Sequence, residues 1–392
     1  MKTMLGVFVL LVAGAVRADD VEEDRVPRAT LVLPQLALAG AQGLLRDPVA
    51  AAVGPEAAVA AARAAGSALW VEGRAAVQAG ALDDRGLYWK RLAARRAFRE
   101  SCAPPVPCTE ALAAFESGSR GMADLHYESD APLRVALSGF DPFALDERID
   151  QSNPSGVAAL RLDGSSLGSG SRRAEVQTVM LPVRFADFDA GLVESVFAPL
   201  LRSGDLDLLV TVSMGRDQFD LERFPGRRRS ATAADNQGVV TGASSTRPLL
   251  PGLPPGDLPG PEFVEFSLPA AALERVQQPY AVRDNRRVES LERGWFEAAS
   301  LAELDGQTAV SGSGGGYLSN EVSFRTVRLV RESGSAVAVG HVHTPRVQGY
   351  DAVAEAAIVD QLRRMLEAAL LAAPAPPAGF DVSAVSAVER RR

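Results

Sequence analysis

The chain has 392 residues, 47% of them apolar and 23% charged, a composition that buries a sizeable core and excludes a disordered polymer. Its 41 Lys and Arg stand against 49 Asp and Glu, a formal charge of −8. Both signs are mixed along the sequence, which argues against a nucleic-acid footprint, and the arginine clusters at 227–229 and 390–392 read as solvated surface.

Residues 1–18 place Lys2 ahead of an apolar run at 5–16 and a small-residue end at Ala18, followed by Asp19 and Asp20. That pattern predicts a cleaved signal peptide and a secreted or periplasmic protein. The run is shorter than the roughly 20 residues that a membrane span needs, and no later uncharged segment reaches that length. Residues 19–126 are rich in alanine and arginine, and helical spacing at 57–70 and 83–100 predicts a small helical accessory domain without chemistry of its own. In the second stretch Tyr88 and Leu92, and Trp89, Ala93 and Ala97, recur every four residues as a packing stripe. Cys102 and Cys108, the only two cysteines, flank Ala-Pro-Pro-Val-Pro. In an oxidising compartment such a pair forms a disulfide, and the absence of neighbouring ligand residues argues against a metal site there.

A different pattern begins at Leu133. Strands are predicted at 133–137, 176–181, 206–212, 308–310 and 336–342, with helices at 152–162, 188–201 and 268–276 and an amphipathic helix from Asp351 that lines up Ile358, Leu362, Met365 and Ala369. Alternating strands and helices predict an α/β domain over 133–373, with a mostly parallel sheet flanked by helices on both faces. Residues 244–261, crowded with Pro and Gly, read as a surface insertion, and residues 374–392 as a disordered tail.

Within this region Ser-Gly-Phe140-Asp-Pro-Phe143, Asn153-Pro154-Ser155, Leu181-Pro182-Val183, Gly215-Arg216 through Glu222-Arg223, Asp235-Asn236, and Phe266 with Leu268-Pro269 occur in that order. Ser311-Gly-Ser-Gly-Gly-Gly-Tyr-Leu-Ser319-Asn follows, and then Gly-His341-Val-His343-Thr-Pro. Taken together, residues 133–371 resemble pyroglutamyl peptidase I, the pyrrolidone carboxyl peptidase family, over a little more than half of the chain. The resemblance implies that fold and hydrolysis of the amide after an N-terminal pyroglutamyl residue. It implies no cofactor and no metal, and a peptide or pyroglutamyl ligand. Glu222 and His343 fall at the family's acid and base positions, while Phe140 and Phe143 fall where the lactam ring is enclosed.

Two departures stand out. Ser319 occupies the position of the family's cysteine nucleophile, and Thr232 that of an arginine near the active site. A thiol is a few per cent ionised at neutral pH, whereas a serine hydroxyl needs concerted proton removal by a base. Without the arginine, oxyanion stabilisation rests on backbone N–H groups of the glycine-rich loop. These residues are consistent with a Ser319–His343–Glu222 triad and equally with a pocket that has lost turnover and only binds. His341, two residues before His343, shares its face of a strand and is the alternative base. Outside the cytoplasm serine also escapes the oxidation that would threaten a thiolate.

Overall fold

The structure is a computed structural model that describes residues 21–123, 125–127, 132–204 and 206–372. The predicted leader and the tail at 374–392 lie outside the described residues. After a 3-10 turn at Glu23–Arg25, five helices run in order: α1 (Val26–Val32), α2 (Gly43–Ala51), α3 (Pro55–Gln78), α4 (Arg85–Ser101) and α5 (Cys108–Ser119). Alanine, the best helix former, fills much of α3, and Pro55 sits at its first turn, where a missing N–H costs nothing. The predicted stripe of α4 buries Tyr88, Trp89, Leu92 and Ala93. Cys102 and Cys108 are disulfide-bonded and tie the end of α4 to the start of α5.

The α/β part continues with β1 (Leu133–Phe140), α6 (Pro154–Leu162), β2 (Ser166–Leu167), β3 (Ala174–Leu181), α7 (Phe185–Asp189), α8 (Leu192–Ser203), β4 (Leu208–Met214) and β5 (Phe219–Glu222). Next come the hairpin β6 (Gly252–Leu253) and β7 (Gly256–Asp257), α9 (Ala270–Leu273), β8 (Val282–Asn285), β9 (Arg287–Ser290), β10 (Gly294–Glu297) and β11 (Ala309–Ser311). Helix α10 (Leu318–Ser333), β12 (Ala338–Thr344) and α11 (Ala352–Ala372) complete it.

Seven strands form the central sheet in the order β2-β3-β1-β4-β12-β5-β8. Strands β3, β1, β4 and β12 are mutually parallel, β5 runs antiparallel to β12, and β8 parallel to β5. The sheet is thus mostly parallel. The chain moves from β1 to β3 in one direction and from β3 back past β1 to β4 in the other. Right-handed crossovers then put α6 and α8 on opposite faces. Helix α11 packs on α6, and α10 on α8. Strands β9, β10 and β11 make a separate antiparallel sheet.

Local chemistry accounts for the shifts from the predicted boundaries. Helix α6 starts at Pro154 because Asn153 is its N-cap, accepting a hydrogen bond from the Ser155 N–H at 3.1 Å. The segment predicted as one helix at 188–201 divides at Gly191. There Asp189 turns outward to accept from the Gly252 N–H at 2.7 Å and to pair with Arg229. The Pro/Gly-rich stretch is held against the body by this bond, by the Leu249–Arg229 backbone pair and by buried Leu258.

The helical N-terminal region shares the main core. Trp70, Leu87, Phe98 and Phe115 belong to the same apolar cluster as Val135, Leu137, Val157 and Met180. Its polar groups also reach the end of β1. Buried Arg91 and Arg120 both bind the carboxylate of Asp141, at 2.9 and 2.7 Å. Desolvating these charges is offset only because they are paired.

Candidate active site

In an open parallel sheet, ligands bind beyond the carboxyl ends of the strands where the strand order reverses. Here that reversal lies between β1 and β4. Phe140 closes β1 and Ser213-Met214 close β4, and a cavity of about 60 Å3 opens there, walled by Phe140, Phe143, Val183, Met214 and Leu318 with Asn153, Ser213, Tyr317 and Ser319. The structure therefore brings Ser319, Phe140 and Phe143 to one small, mainly apolar cavity. Phe140 is buried and stacks on Phe188 at 6.2 Å, so one ring serves both core and cavity wall.

The turn that carries the two phenylalanines is held by hydrogen bonds from three neighbouring residues. Ser155 Oγ accepts from the Phe140 N–H at 3.0 Å, and the Asn153 amide donates to the Asp141 carbonyl at 3.0 Å. The Asn236 amide donates to the Pro142 carbonyl at 2.9 Å.

Glu222 ends β5 and His343 lies near the end of β12, and the antiparallel pairing of these strands brings them together. His343 Nδ1 lies 2.5 Å from Glu222 Oε1. The other carboxylate oxygen, Oε2, accepts from Asn285 Nδ2 at 2.8 Å, and the same amide donates to the Ser313 carbonyl at 2.9 Å. Burial pushes the Glu222 carboxyl above its ordinary pKa, against the pull of His343 and the Asn285 hydrogen bond. His343 abuts Gly215, where a Cβ would lie 2.6 Å from the His343 Cβ, so no larger residue fits.

Ser319 is the second residue of α10. Its Oγ donates to the Gly314 carbonyl at 3.3 Å, and no hydrogen bond joins Ser319 to His343 among the described residues. The helix start is anchored by Asn320, which donates to the Gly226 carbonyl at 2.7 Å and accepts from the Gly226 N–H at 2.9 Å. A side chain at Gly312 would come within 2.0 Å of Asn320 Oδ1 and break this clamp. In the first turn of α10 the Glu321 N–H reaches the Tyr317 carbonyl. The N–H groups of 318–320 have no acceptor within the helix, and the positive end of its dipole lies at Leu318 and Ser319, which line the cavity.

His341 is fully committed elsewhere: its two ring nitrogens lie 2.8 Å from Thr211 Oγ1 and 2.8 Å from Ser213 Oγ. Burial, and then the neighbouring His343, push its pKa well below the ordinary value, so it stays neutral. Thr232 is exposed, while nearby Arg229 is buried in ion pairs with Glu321 and Asp189. Among the described residues no group of three or more His, Cys, Asp or Glu converges as a metal site.

Asn285 had escaped the sequence reading, because a single asparagine between Asp284 and Arg286 carries no motif. Its pairing is visible only once β8 lies beside β5 with Glu222 opposite Asn285.

The sequence family described as PA0049, C-terminal domain, matches residues 134–278. The match includes Phe140, Phe143 and Glu222 and ends before Ser319 and His343. The uncharacterized protein PA0049 of Pseudomonas aeruginosa is 35% identical over 234 residues, which cover 52% of this chain and 42% of that protein. The chain therefore spans less than half of that relative's length. Among solved structures, two mutant forms of the pyrrolidone carboxyl peptidase of the hyperthermophile Pyrococcus furiosus are similar at 19% identity and a TM-score of 0.44, covering 61% of this chain and 99% of theirs. A crystal structure from a study of the same Pyrococcus enzyme and its Cys-free mutant is similar with a TM-score of 0.43.

Proposed function

We propose that the protein is an exported hydrolase of the pyroglutamyl peptidase type, in which Ser319 replaces the usual cysteine. In this reading the lactam ring of an N-terminal pyroglutamyl residue lies between Phe140 and Phe143. His343 takes the proton from Ser319 as Oγ attacks the amide carbonyl, and Glu222 holds the imidazole tautomer and steadies its cation. The tetrahedral oxyanion is met by N–H groups at the start of α10. His343 then gives its proton to the departing peptide amine, and water releases pyroglutamate from the ester by the same base.

The observation that carries the proposal is the 2.5 Å His343–Glu222 contact, set beside a cavity that Ser319, Phe140 and Phe143 share. Export is supported by the predicted leader and the Cys102–Cys108 disulfide. No helix among the described residues is long and apolar enough to cross a membrane.

One observation favours a second reading, a pocket that binds the lactam without turnover. The Ser319 hydroxyl is directed to Gly314, and exposed Thr232 carries no positive charge of its own. Turnover of a chromogenic pyroglutamyl amide by the mature protein, with Ser319→Ala beside it, separates the two. Slow turnover that disappears in Ser319→Ala supports the hydrolase. Equal binding of pyroglutamate by both proteins with turnover by neither supports the binding pocket.

A further inference from the structure

A second cleft, of about 340 Å3, adjoins the candidate site and has no part in the mechanism above. Its walls carry Arg216, Arg283 and Arg287 against the single carboxylate of Glu297, with Trp295 beside them. Arg283 is half exposed and shares Asp220 at 3.0 Å. Arg216 and Arg287 have no ion-pair partner among the described residues. The Arg287 guanidinium instead lies 4.8 Å from the centre of the Trp295 ring, a cation–π contact that uses none of its N–H donors.

The cleft and the cavity are joined by two stretches of chain. Ser213 and Met214 line the cavity, Gly215 packs on His343, and Arg216 lines the cleft. In the nucleophile loop Ser313 and Gly315 line the cleft, whereas Tyr317, Leu318 and Ser319 line the cavity. The cleft wall also includes Asn285, the residue that holds Glu222. The His343–Glu222 pair thus stands between cavity and cleft in the chain of contacts.

We propose that this basic cleft receives the leaving portion of the substrate, and that the preferred substrates are pyroglutamyl peptides with carboxylates in the first two or three residues after the lactam. This inference rests on the hydrolase reading for its orientation: the departing amine takes its proton at His343, so the peptide behind it begins beside Gly215 and runs toward Arg216. At roughly 3.3 to 3.6 Å per extended residue, two or three residues carry a carboxylate about 7 to 11 Å onward, along the side that leads from Gly215 to Arg216. Guanidinium groups are suited to carboxylates because their fork of donors matches both oxygens.

The test uses Ser319→Ala protein, so that binding is read without turnover, and isothermal titration of three peptides at low salt. The peptides are pyroglutamyl-Asp-Glu-Gly amide, pyroglutamyl-Asn-Gln-Gly amide, and the acidic peptide with acetyl-alanine in place of the lactam. The acidic pyroglutamyl peptide is expected to bind about tenfold more tightly than its neutral partner, the combined effect of two exposed ion pairs. The advantage should disappear in Arg216→Ala/Arg287→Ala, return in part with lysine at both positions, and shrink with added salt. Both arginines are exposed, so an unchanged melting temperature certifies the variants. Equal affinity of the acidic and neutral peptides, or an acidic preference that survives the double variant, overturns the cleft while leaving the lactam reading intact. If the acetyl-alanine peptide binds as tightly as the pyroglutamyl one and loses affinity in the double variant, the cleft stands and the lactam reading falls. Binding of none of the three overturns both.

Discussion

Replacing Asn285 by alanine removes the donor that faces Glu222 Oε2 at 2.8 Å and the Ser313 carbonyl at 2.9 Å, both in the buried interior. A hydrogen bond to a charged group contributes about 1.5–3 kcal/mol. Because Asn285 favours the ionised carboxylate, its loss raises a Glu222 pKa that burial already holds high. The Glu222 carboxyl should therefore move further up in the variant. Glu222 must be ionised to support an imidazolium at His343, so the acid limb of the kcat/KM profile should move to higher pH. Stability follows the same sign. A carboxyl whose folded pKa lies above its unfolded value of about 4.3 contributes stability below that pH and loses it as pH rises through the folded pKa. The melting-temperature deficit of Asn285→Ala should therefore widen from pH 5 to 8. The assays are kcat/KM on a pyroglutamyl amide and thermal melts across that range. An acid limb that stays put while the whole profile drops would show that Asn285 only props the loop, and the coupling argued here would be wrong.

Other outcomes follow from the same geometry. Glu355, with its pKa pushed by burial to about 8, accepts from Ser152 Oγ at 2.5 Å and also faces Asp83, Asp84, Asp351 and Arg85. Its raised pKa means stability present below about pH 4.3 and lost toward pH 8, so the melting temperature of Glu355→Gln relative to wild type should rise over that window; parallel curves would refute it. Asp141→Ala leaves Arg91 and Arg120 buried without their shared carboxylate and should cost about 3–5 kcal/mol in denaturant unfolding; a loss below 1 kcal/mol would remove the N-terminal layer's bracing role. His341→Ala should lower stability by about 1–3 kcal/mol through unsatisfied Thr211 and Ser213, leaving the shape of the pH–rate profile intact, whereas His343→Ala should bring turnover to background. The reverse pattern would make His341 the base.

The α/β alternation was readable because the core strands are short apolar runs: β1, β3, β4 and β12 each lie within a few residues of their predicted spans. Strand β5 was hidden because Asp220 and Glu222, both buried, break its apolar pattern for the sake of the site. Strands β8 to β10 were hidden for a similar reason, since Arg283, Asp284, Arg287, Glu289 and Glu297 interrupt their apolar pattern. Helix α10 reads as polar in sequence, yet Arg325 is fully buried on Glu194 and Glu321. The two phenylalanines, Glu222, Ser319 and the two histidines were legible through motif resemblance. That resemblance already favoured His343 over His341, but the partners that fill the ring nitrogens, Glu222 for the first and Thr211 and Ser213 for the second, were not visible in sequence. The contribution of the N-terminal helices was likewise out of reach. Arg91, Arg95 and Arg120 look like solvated charges, and only the fold brings them to Asp141 and Glu116.

If position 319 is a nucleophile under the control of His343, a thiol placed there must report that control. Both native cysteines are in the disulfide, so Ser319→Cys introduces the single alkylatable thiol. Its rate of reaction with iodoacetamide against pH, with and without His343→Ala, reads the coupling directly and does not depend on the speed of the natural serine. The expected result is a thiolate reactive well below the ordinary thiol pKa of about 8.5, moving up toward that value when His343 is removed. An ordinary thiol profile that His343→Ala leaves unchanged would contradict it.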